Sequence, residues 1–448
     1  MTLNKPKNEN YAAVVVEIKT LLPLAGCDNV QAAIIMGNQV IVGKDIELGT
    51  VGLYFPLETQ LSEPYLKNHN LYRKPELNLD QTKKGYFEEN GRIRCVKFRG
   101  HNSEGLFMPL DSLIFTGDWQ GLKIGNEFDE INGIEICKKY ISKKSRTPGL
   151  PGSKQPKKPR VSKIIDSQFR FHQETSMLYK NVHRINPGDI ISISYKMHGT
   201  SGISSYVLCK QPMSLSTRVV LWISQKIVQP VINLFGAGVE FNPDNIGYDY
   251  IYSSRKVVKN EELNPNPEHF YNVDIWGLAD QQLREFLQKG MTFYYEIVGF
   301  LPNGSKIQGN YDYGQEPGTF KIYIYRITYT NIDGKVFEFS AKQVQDFCRK
   351  NGLNAVPELY YGYASELYPN LPIDYDELDI WRTNFLTCIK EEFNEKDCFM
   401  CKNKVPEEGC VVRVEGMEFE AYKAKSNAFY ALETKLLDKG ETNLEDEN

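Results

Sequence analysis

A basic segment rich in proline and glycine divides the sequence into two parts. Residues 137–163 contain ten lysines and arginines, four prolines and two glycines, and no aspartate or glutamate. Proline and glycine interrupt helices and strands, and a row of like charges keeps a chain extended. We therefore expect an N-terminal domain at residues 1–136, a linker at 137–163 and a larger C-terminal domain at 164–448.

The basic linker allows two interpretations, and the sequence leaves both open. It is a solubilising tether, or its cations contact the phosphate backbone of a nucleic acid bound nearby. The whole chain carries a net charge of −4 at pH 7, which argues against uniform electrostatic capture of nucleic acid. Any such contact must therefore come from a local patch.

Composition is typical of a globular protein. The chain has 448 residues, of which 41% are hydrophobic and 25% are charged. It has no run of about twenty apolar residues, and its N-terminus lacks the apolar core of a secretion signal. The apolar stretch at 218–235 contains Lys226 and Pro230, so we interpret it as a buried or partner-facing helix. We expect a cytoplasmic protein with no membrane segment.

The nine cysteines indicate reduced thiols, because an odd number spread over a long chain does not suit a disulfide framework. Cys398 and Cys401 form a C-x-x-C pair, with Cys388 and Cys410 nearby. A zinc site is the alternative for these four residues. The irregular intervals between them, and the position of Cys410 in a predicted strand, argue against zinc.

Residues 1–136 have the pattern of a small β domain. Short strand-like runs alternate with turn signals, and stretches with helical periodicity are scarce. The spacing predicts an OB-type β-barrel that binds nucleic acid, with another small barrel or a sandwich as the alternative. The most basic run, RIRCVKFRG, contains four cations that either contact backbone phosphates or form a solvated face. These cations are Arg92, Arg94, Lys97 and Arg99.

From residue 164 onward, strands and helices are interspersed. Alternating runs such as ISISYK and FKIYIYRITYT predict strands, whereas ADQQLREFLQKG and AKQVQDFCRKNG have helical periodicity and end in glycine. The pattern predicts an α+β domain.

The motif KMHGTS, which begins at Lys196, follows one of these strands. Glycine three residues after a lysine is common by chance, so this motif alone is a weak signal. Polar residues further along the chain make it stronger. In order they are Arg255, Glu296, Tyr325, Glu408, Lys423 and Lys425.

This set fits a lysine nucleophile held over a nucleotide. Nearby cations promote loss of the lysine proton and neutralise a polyphosphate. Two carboxylates can hold the water shell of a divalent metal or a ribose hydroxyl, a tyrosine can stack on a purine, and an arginine can bind a sugar or phosphate. Lys423 and Lys425 are two residues apart on a predicted strand, so both point to the same face.

The ordered motifs resemble those of the covalent nucleotidyltransferases, the superfamily of ATP-dependent RNA and DNA ligases and mRNA capping enzymes. KMHGTS resembles the nucleophile motif, and the match extends over most of residues 164–430 through SSRK, YYEIVGF, YIYRI, EEGCVV and YKAK. The combination K-x-H-G-T-S with K-x-K resembles RNA ligases, since DNA ligases and capping enzymes more typically carry K-x-D-G. The leading domain and the sequence FRFHQET resemble RNA ligases of the Deinococcus and Naegleria type.

The resemblance implies both a fold and an activity. The implied fold is α+β, with the N-terminal OB-type β-barrel followed by an ATP-grasp-like nucleotidyltransferase domain of antiparallel sheets flanked by helices. The implied activity is that of an ATP-dependent RNA ligase, which joins a 3′-hydroxyl to a 5′-phosphate through lysyl-AMP and adenylylated RNA, in nick sealing or RNA repair. The cofactors would be ATP and Mg²⁺ or Mn²⁺, and the partner of a monomeric enzyme would be RNA with nicked or broken duplex strands.

The resemblance also implies a role for each motif residue. Lys196 would attack the α-phosphate of ATP. Arg255 and Glu296 would bind the ribose or an adjacent phosphate, and Tyr325 would stack on adenine.

The last two motifs would bind the metal ion and the phosphate groups of the nucleotide. Glu408, together with Glu296, would orient a hydrated metal ion. Lys423 and Lys425 would hold the α-phosphate and the charge of the transition state.

Some assignments and alternatives stay open. Lys180 and Arg184 are weaker candidates for contact with the γ-phosphate, and His198 has no assigned role. The stretch at 203–254 lies in a longer interval between motifs than compact ligases have, which leaves the substrate geometry open. The alternative functions are a GTP-dependent capping guanylyltransferase, a DNA ligase and a non-catalytic RNA-binding adaptor.

Overall fold

The computed structural model describes residues 1–141, 163–211, 222–223, 245–260, 271 and 273–438. Most of the basic linker and most of the apolar stretch at 218–235 lie outside these residues, so the interpretations of both stay predictions. Of the helices in these ranges, none is long and apolar enough to cross a membrane.

Short strands dominate the N-terminal part. In chain order they are β1 (Ala13–Glu17), β2 (Leu21–Pro23), β3 (Val30–Ile35), β4 (Asn38–Gly43), β5 (Val51–Phe55), β6 (Thr59–Leu61), β7 (Val96–Phe98), β8 (His101–Ser103), β9 (Leu106–Pro109), β10 (Glu127–Phe128), β11 (Glu130–Ile131), β12 (Ile134–Glu135) and β13 (Cys137–Lys139). Helix α1 (Glu63–Asn68) interrupts them and begins after Ser62, whose hydroxyl accepts a hydrogen bond from the Tyr65 amide.

These strands form several small antiparallel sheets. One has the order β10-β1-β5-β9 and another the order β2-β3-β4, and the other strands pair two by two. Within the described residues, none of these sheets closes into a barrel, so the OB-type barrel stays a prediction. Leu53, Phe55, Tyr65 and Phe128 are fully buried at the centre of the largest N-terminal core.

The four cations of the basic run RIRCVKFRG differ in their exposure. Arg92 fits neither alternative for this run, phosphate contact or a solvated face, because the residue is 3% exposed and its guanidinium donates two hydrogen bonds of 2.7 Å to the Glu58 carboxylate. A guanidinium paired in this bidentate way has no donors left on that edge for another anion. Lys97 and Arg99 are exposed, so contact with phosphate stays a prediction for these two residues.

The C-terminal part mixes strands and helices, as the sequence predicts. Its strands are β14 (Ser176–Met177), β15 (Ile190–Tyr195), β16 (Thr200–Lys210), β17 (Ile246–Ser254), β18 (Met291–Gly299), β19 (Phe320–Thr330), β20 (Val336–Glu338), β21 (Glu358–Tyr363), β22 (Gly409–Val414) and β23 (Glu420–Lys425). Its helices are α2 (Leu178–Asn181), α3 (Ile275–Leu283), α4 (Ala341–Asn351), α5 (Ala364–Leu367), α6 (Leu378–Phe393) and α7 (Asn427–Asp438).

Two five-stranded sheets organise these elements. Sheet A has the order β14-β23-β22-β15-β21, and sheet B has the order β17-β16-β18-β19-β20. Every pairing within the two sheets is antiparallel except that of β14 with β23. The expected antiparallel α+β architecture is therefore present.

The alternation of β15 explains how sheet A is oriented. Ile191 and Ile193 are fully buried and belong to the same apolar core as Trp381 and Phe385 of α6. Successive side chains of a strand point to opposite faces. Ser192 and Ser194, which alternate with these isoleucines, therefore face away from α6. They line a cleft on the other side of the sheet.

Sheet B is covered on one face by helices α3 and α4. Phe293 of β18 and Ile324 of β19 are buried with Trp276 of α3 and Val344 of α4. Helix α4 begins with a capping box at Ser340. The Gln343 amide donates a hydrogen bond to the Ser340 hydroxyl, and the Ser340 amide donates one to the Gln343 side chain.

Helix α7 joins the C-terminal part to the N-terminal part. Tyr430 packs against the N-terminal core. Further along the helix, Thr434 Oγ1 lies 3.4 Å from Glu58 Oε1, and Asp438 Oδ1 lies 3.4 Å from Arg92 Nη1. Because α7 directly follows β23, the N-terminal part is connected through one helix to the strand that carries the last predicted site residues.

Candidate active site

The chain passes from sheet A to sheet B at Lys196. Strand β15 ends at Tyr195, and β16 of sheet B begins a few residues later. Two backbone hydrogen bonds fix this crossing: the Tyr195 amide donates to Pro357 O and the Lys196 amide donates to Gly409 O, each at 2.9 Å. Lys196 is thereby held at the junction of the sheets, where it lines the cleft between them.

A buried carboxylate lies against the Lys196 amine. Glu408 Oε1 is 2.5 Å from Lys196 Nζ and 3.6 Å from Lys425 Nζ. The other carboxylate oxygen is 3.7 Å from His198 Nδ1. The Glu408 side chain is 1% exposed, so its charge is balanced by these neighbours and not by bulk water. His198, for which the sequence analysis assigns no role, is thus part of the cluster around Glu408.

Lys423 and Lys425 occupy neighbouring positions on one face of β23. Their partners in β22 are Val411 and Gly409, which alternate in the same way. Lys423 lines the cleft, and its Nζ is 3.7 Å from Glu174 Oε1. Lys425 lies closer to the junction, between Glu408 and α7. Two cations therefore lie on one face of β23, one at the cleft wall and one behind it at Glu408.

Glu296 on β18 holds the crossing segment from the sheet B side. The Gly199 amide donates to Glu296 Oε1 and the Ser201 hydroxyl donates to Oε2, both at 3.1 Å. A Cβ atom added at Gly199 would lie 2.3 Å from Ile297 O and 2.9 Å from Glu296 Cγ. Only glycine allows the nucleophile motif to approach β18 this closely.

Tyr325 and Arg255 lie on the sheet B side of the cleft. The Tyr325 hydroxyl is 2.9 Å from His172 Nδ1, and the two rings meet edge to face with centroids 5.8 Å apart. Burial raises the pKa of the Tyr325 hydroxyl, so it stays protonated at neutral pH. Arg255 directly follows β17 of sheet B and also lines the cleft.

The structure brings the predicted site residues together. The cleft has about 1270 Å³ of free space, part of it open to solvent. Five of the seven predicted residues line it: Lys196, Arg255, Glu296, Tyr325 and Lys423. The other two, Glu408 and Lys425, reach it through their contacts with Lys196 and with each other.

The two weaker candidates lie elsewhere. Lys180 is 7% exposed, and its ammonium contacts the backbone oxygen of Glu9 and lies 3.4 Å from Glu127 Oε2, both in the N-terminal part. Arg184 is 3.3 Å from Glu420 Oε1 on the surface. Neither residue lines the cleft, so these positions do not support contact with the γ-phosphate.

Sequence reasoning missed three residues that complete the site. His172 contacts Tyr325, Glu174 contacts Lys423, and Ser201 contacts Glu296. His172 and Glu174 both belong to FRFHQET, a stretch that resembles known RNA ligases but whose residues have no role assigned from the sequence. Their spacing of two residues in an extended segment was the available signal, because it places both side chains on one side of the chain.

The donors at the site suit a hydrated divalent cation better than a closed metal cage. Across the described ranges, no group of three or more His, Cys, Asp and Glu side chains is arranged to hold a metal ion. The zinc alternative at the C-x-x-C pair stays open. Glu408 and Glu296 offer oxygen ligands, and Mg²⁺ or Mn²⁺ with one or two carboxylates completes its coordination with water and substrate phosphates.

Comparison with known proteins gives matches among solved structures. No protein-family model and no curated protein sequence matches the chain. A lysine-to-methionine variant of Naegleria gruberi RNA ligase with AMP and Mn superposes with a TM-score of 0.55 at 16% identity, over 93% of this chain and 97% of that chain. The same ligase with PPi gives a TM-score of 0.56 at 16% identity, over 96% and 99%. An aspartate-to-alanine variant of it in the apo form gives 0.56 at 17% identity, over 96% and 100%. The protein thus shares its fold with the Naegleria gruberi RNA ligase along nearly the whole of both chains.

Proposed function

We propose that the protein is an ATP-dependent RNA ligase that joins a 3′-hydroxyl to a 5′-phosphate through lysyl-AMP and adenylylated RNA. The observation that carries this proposal is the position of Lys196. It lies at the junction of two sheets with a buried carboxylate 2.5 Å from its amine and with two lysines on β23, which pairs with the strand that follows this carboxylate. The shared fold with an RNA ligase supports the same conclusion.

The first step forms a covalent bond between the protein and AMP. Lys196 Nζ attacks the α-phosphorus of ATP, a nitrogen–phosphorus bond forms, and the bond to the pyrophosphate oxygen breaks. The amine must lose its proton to attack, and Glu408 Oε1 lies within reach of that proton. Lys423 and Lys425 stabilise the negative charge that develops on the phosphate oxygens.

The nucleoside would lie along the cleft away from Lys196. Tyr325 offers a ring that can stack on the base, and its hydroxyl contact with His172 fixes the orientation of that ring. Glu296 is held by Gly199 and Ser201 within reach of a ribose hydroxyl. Arg255 supplies a guanidinium for the sugar or a phosphate.

Glu408 and Glu296 are the residues that would hold Mg²⁺ or Mn²⁺. When bound, the cation supplies electrostatic stabilisation of the phosphate charge.

The remaining parts of the proposal concern RNA and rest on the sequence. AMP passes from Lys196 to the 5′-phosphate of a nicked or broken RNA strand, and a 3′-hydroxyl then displaces it. The N-terminal residues 1–136 and the linker at 137–163 would contact the RNA backbone, and residues 164–448 would carry the chemistry. We propose a monomeric, cytoplasmic enzyme of RNA repair.

The test is covalent labelling of the purified protein with radioactive ATP or GTP. We expect an acid-labile adduct from ATP in the wild type and none in Lys196→Ala or Lys196→Arg, because arginine stays protonated. Lys335→Arg, a change at an exposed lysine just before β20, is the matched control and should label normally. Undiminished labelling of either Lys196 variant would refute the assignment, and labelling by GTP alone would favour a capping enzyme. Nicked duplexes with ribonucleotides or deoxyribonucleotides on each side of the nick then test the RNA requirement.

A further inference from the structure

A pair of cysteines lies in the loop between α6 and β22, close to the site but outside the proposed chemistry. The Cys401 amide donates to Cys398 O at 3.4 Å, which closes a tight turn. The Cys398 amide donates to Val405 O at 2.8 Å, so the turn is the tip of a hairpin-like loop. The α-carbons at the ends of such a turn lie within about 7 Å, and a disulfide spans about 4.4–6.8 Å between α-carbons.

The two thiols differ in exposure and in charge. Cys398 is 5% exposed, whereas Cys401 is partly exposed. The neighbouring Cys401 thiol, and to a smaller degree the Tyr195 hydroxyl, lower the pKa of Cys398 against the opposing effect of burial. The same contact raises the pKa of Cys401. The opposite shifts make Cys398 the more readily ionised thiol of the pair.

Several other cysteines of the chain have a raised pKa, in contrast to Cys398. Burial raises the pKa of Cys137, Cys209, Cys348 and Cys410, which makes them poor nucleophiles. Cys388 on α6 is partly exposed, as Cys401 is, but its pKa is also raised by burial. Cys388 therefore provides a control in the same region of the chain.

The loop is connected to the site at both of its sides. The Cys398 thiol lies beside the hydroxyl of Tyr195, the residue before Lys196, and the Phe399 ring packs edge to face on the Tyr195 ring with centroids 5.0 Å apart. The returning side of the loop ends at Pro406, whose carbonyl accepts a hydrogen bond of 2.5 Å from Tyr311. Glu408 follows two residues later. A change in the shape of this loop therefore acts on both the nucleophile and its carboxylate neighbour.

We propose that Cys398 and Cys401 form a reversible oxidation site, and that a disulfide between them slows the reaction of Lys196 with ATP. The effect on activity rests on the proposed function, whereas the disulfide itself does not. With hydrogen peroxide as the oxidant, the Cys398 thiolate attacks one peroxide oxygen, the O–O bond breaks, and a sulfenic acid and hydroxide are formed. The Cys401 sulfur then attacks the Cys398 sulfur and displaces the hydroxyl as water, so two thiols and one peroxide give one disulfide and two waters. A dithiol reductant restores both thiols.

The experiment measures the disulfide and the activity separately on the full-length protein. After brief treatment with hydrogen peroxide, peptide mass spectrometry should find a Cys398–Cys401 disulfide, and labelling by radioactive ATP should fall about ten-fold, since small displacements of reacting groups cost this much or more. Dithiothreitol should restore labelling. In Cys401→Ser and Cys398→Ser the peroxide should no longer reduce labelling reversibly, whereas Cys388→Ser should respond as the wild type does.

A second measurement does not depend on substituting a buried residue. Alkylation of Cys398 by iodoacetamide should rise with pH and reach half of its maximal rate at a lower pH than that of an ordinary thiol, because the thiolate is the reactive form and the pKa of Cys398 is lowered. Alkylation of Cys388 should require a much higher pH. Absence of the disulfide in the treated wild type, or a disulfide that leaves labelling unchanged, would overturn the proposal. A protein that forms the disulfide but labels with no nucleotide would contradict the ligase function and leave the oxidation site established.

Discussion

At the residue scale, two consecutive glutamates have different surroundings. Glu408 lies among Lys196, Lys425 and His198. Glu407 points the other way: it is 4% exposed, one of its carboxylate oxygens has no hydrogen-bond partner among the described residues, and burial raises its pKa to about 7. Adjacent residues on an extended segment point in opposite directions, so a difference of one position decides which carboxylate reaches the site.

We predict that Glu408→Gln and Glu407→Gln will have different effects on labelling by ATP. Glu408→Gln keeps the shape but removes the charge beside two lysines, and we expect labelling by ATP to fall by about 100-fold or more. Glu407→Gln should label within about two-fold of the wild type, because no contact with Lys196 is lost. The rate of lysyl-AMP formation, measured at saturating ATP, provides the comparison. Equal losses in the two variants would mean that Glu408 acts only through folding.

At the element scale, strand β23 carries two lysines with different partners. Lys423 lies on the cleft wall and contacts Glu174, whose side chain is 36% exposed. Lys425 is 5% exposed, lies between Glu408 and Glu433, and is 5.2 Å from the centroid of the Phe429 ring. Both lysine side chains are buried and only their partners differ: Lys423 contacts a carboxylate that water also reaches, whereas Lys425 balances two buried carboxylates.

This difference predicts distinct effects of substituting the two lysines by methionine. Lys423→Met should lower labelling by ATP strongly while changing the free energy of unfolding by less than about 1 kcal/mol. Lys425→Met leaves Glu408 and Glu433 without a buried cation, so it should lower both labelling and stability, the latter by about 3–5 kcal/mol. Urea denaturation and ATP labelling of the same preparations measure the two quantities. Full stability of Lys425→Met would show that these carboxylates are balanced by other groups.

The elements that carry the motifs were predictable because their signals are local. The alternation in ISISYK sets β15, and the two-residue spacing in YKAK places Lys423 and Lys425 on one face. The contact of Tyr325 with His172 joins residues 153 positions apart, and β14 pairs with β23 across an even longer gap. No periodicity encodes such a partner. Arg92 could not be placed from the sequence for a related reason. Its spacing in the basic run is the same whether its side chain is exposed or buried in an ion pair.

At the scale of the whole molecule, the N-terminal part is packed against the segment that carries the site. Helix α7 follows Lys425 directly and contacts the N-terminal core through Tyr430. On a second side, Lys390 of α6 donates to Gly37 O at 2.8 Å and to Asn38 Oδ1 at 2.9 Å. Glu104 accepts a hydrogen bond of 2.8 Å from Asn427 at the start of α7. The N-terminal part therefore supports the end of sheet A, in addition to any contact with RNA.

The buried pair of Glu58 and Arg92 tests this support, because it lies under the last turns of α7. Arg92→Met leaves the Glu58 carboxylate buried without its cation, and we expect a loss of about 3–5 kcal/mol in the free energy of unfolding. Arg94→Met is the matched control, since Arg94 is two residues away and its contact with Asp438, at 3.2 Å, is partly exposed. That variant should lose less than about 1 kcal/mol.

The measurement that decides the matter is the unfolding curve of each variant, recorded together with ATP labelling at increasing urea. If the N-terminal part supports the site, labelling and N-terminal structure should be lost in one transition, and Arg92→Met should move that transition to lower urea. The double variant Arg92→Met with Glu58→Leu should recover most of the stability, because an apolar pair of similar volume removes the uncompensated charge. Two separate transitions, with labelling unaffected by Arg92→Met, would instead show that the N-terminal part folds alone and that α7 holds its position without it.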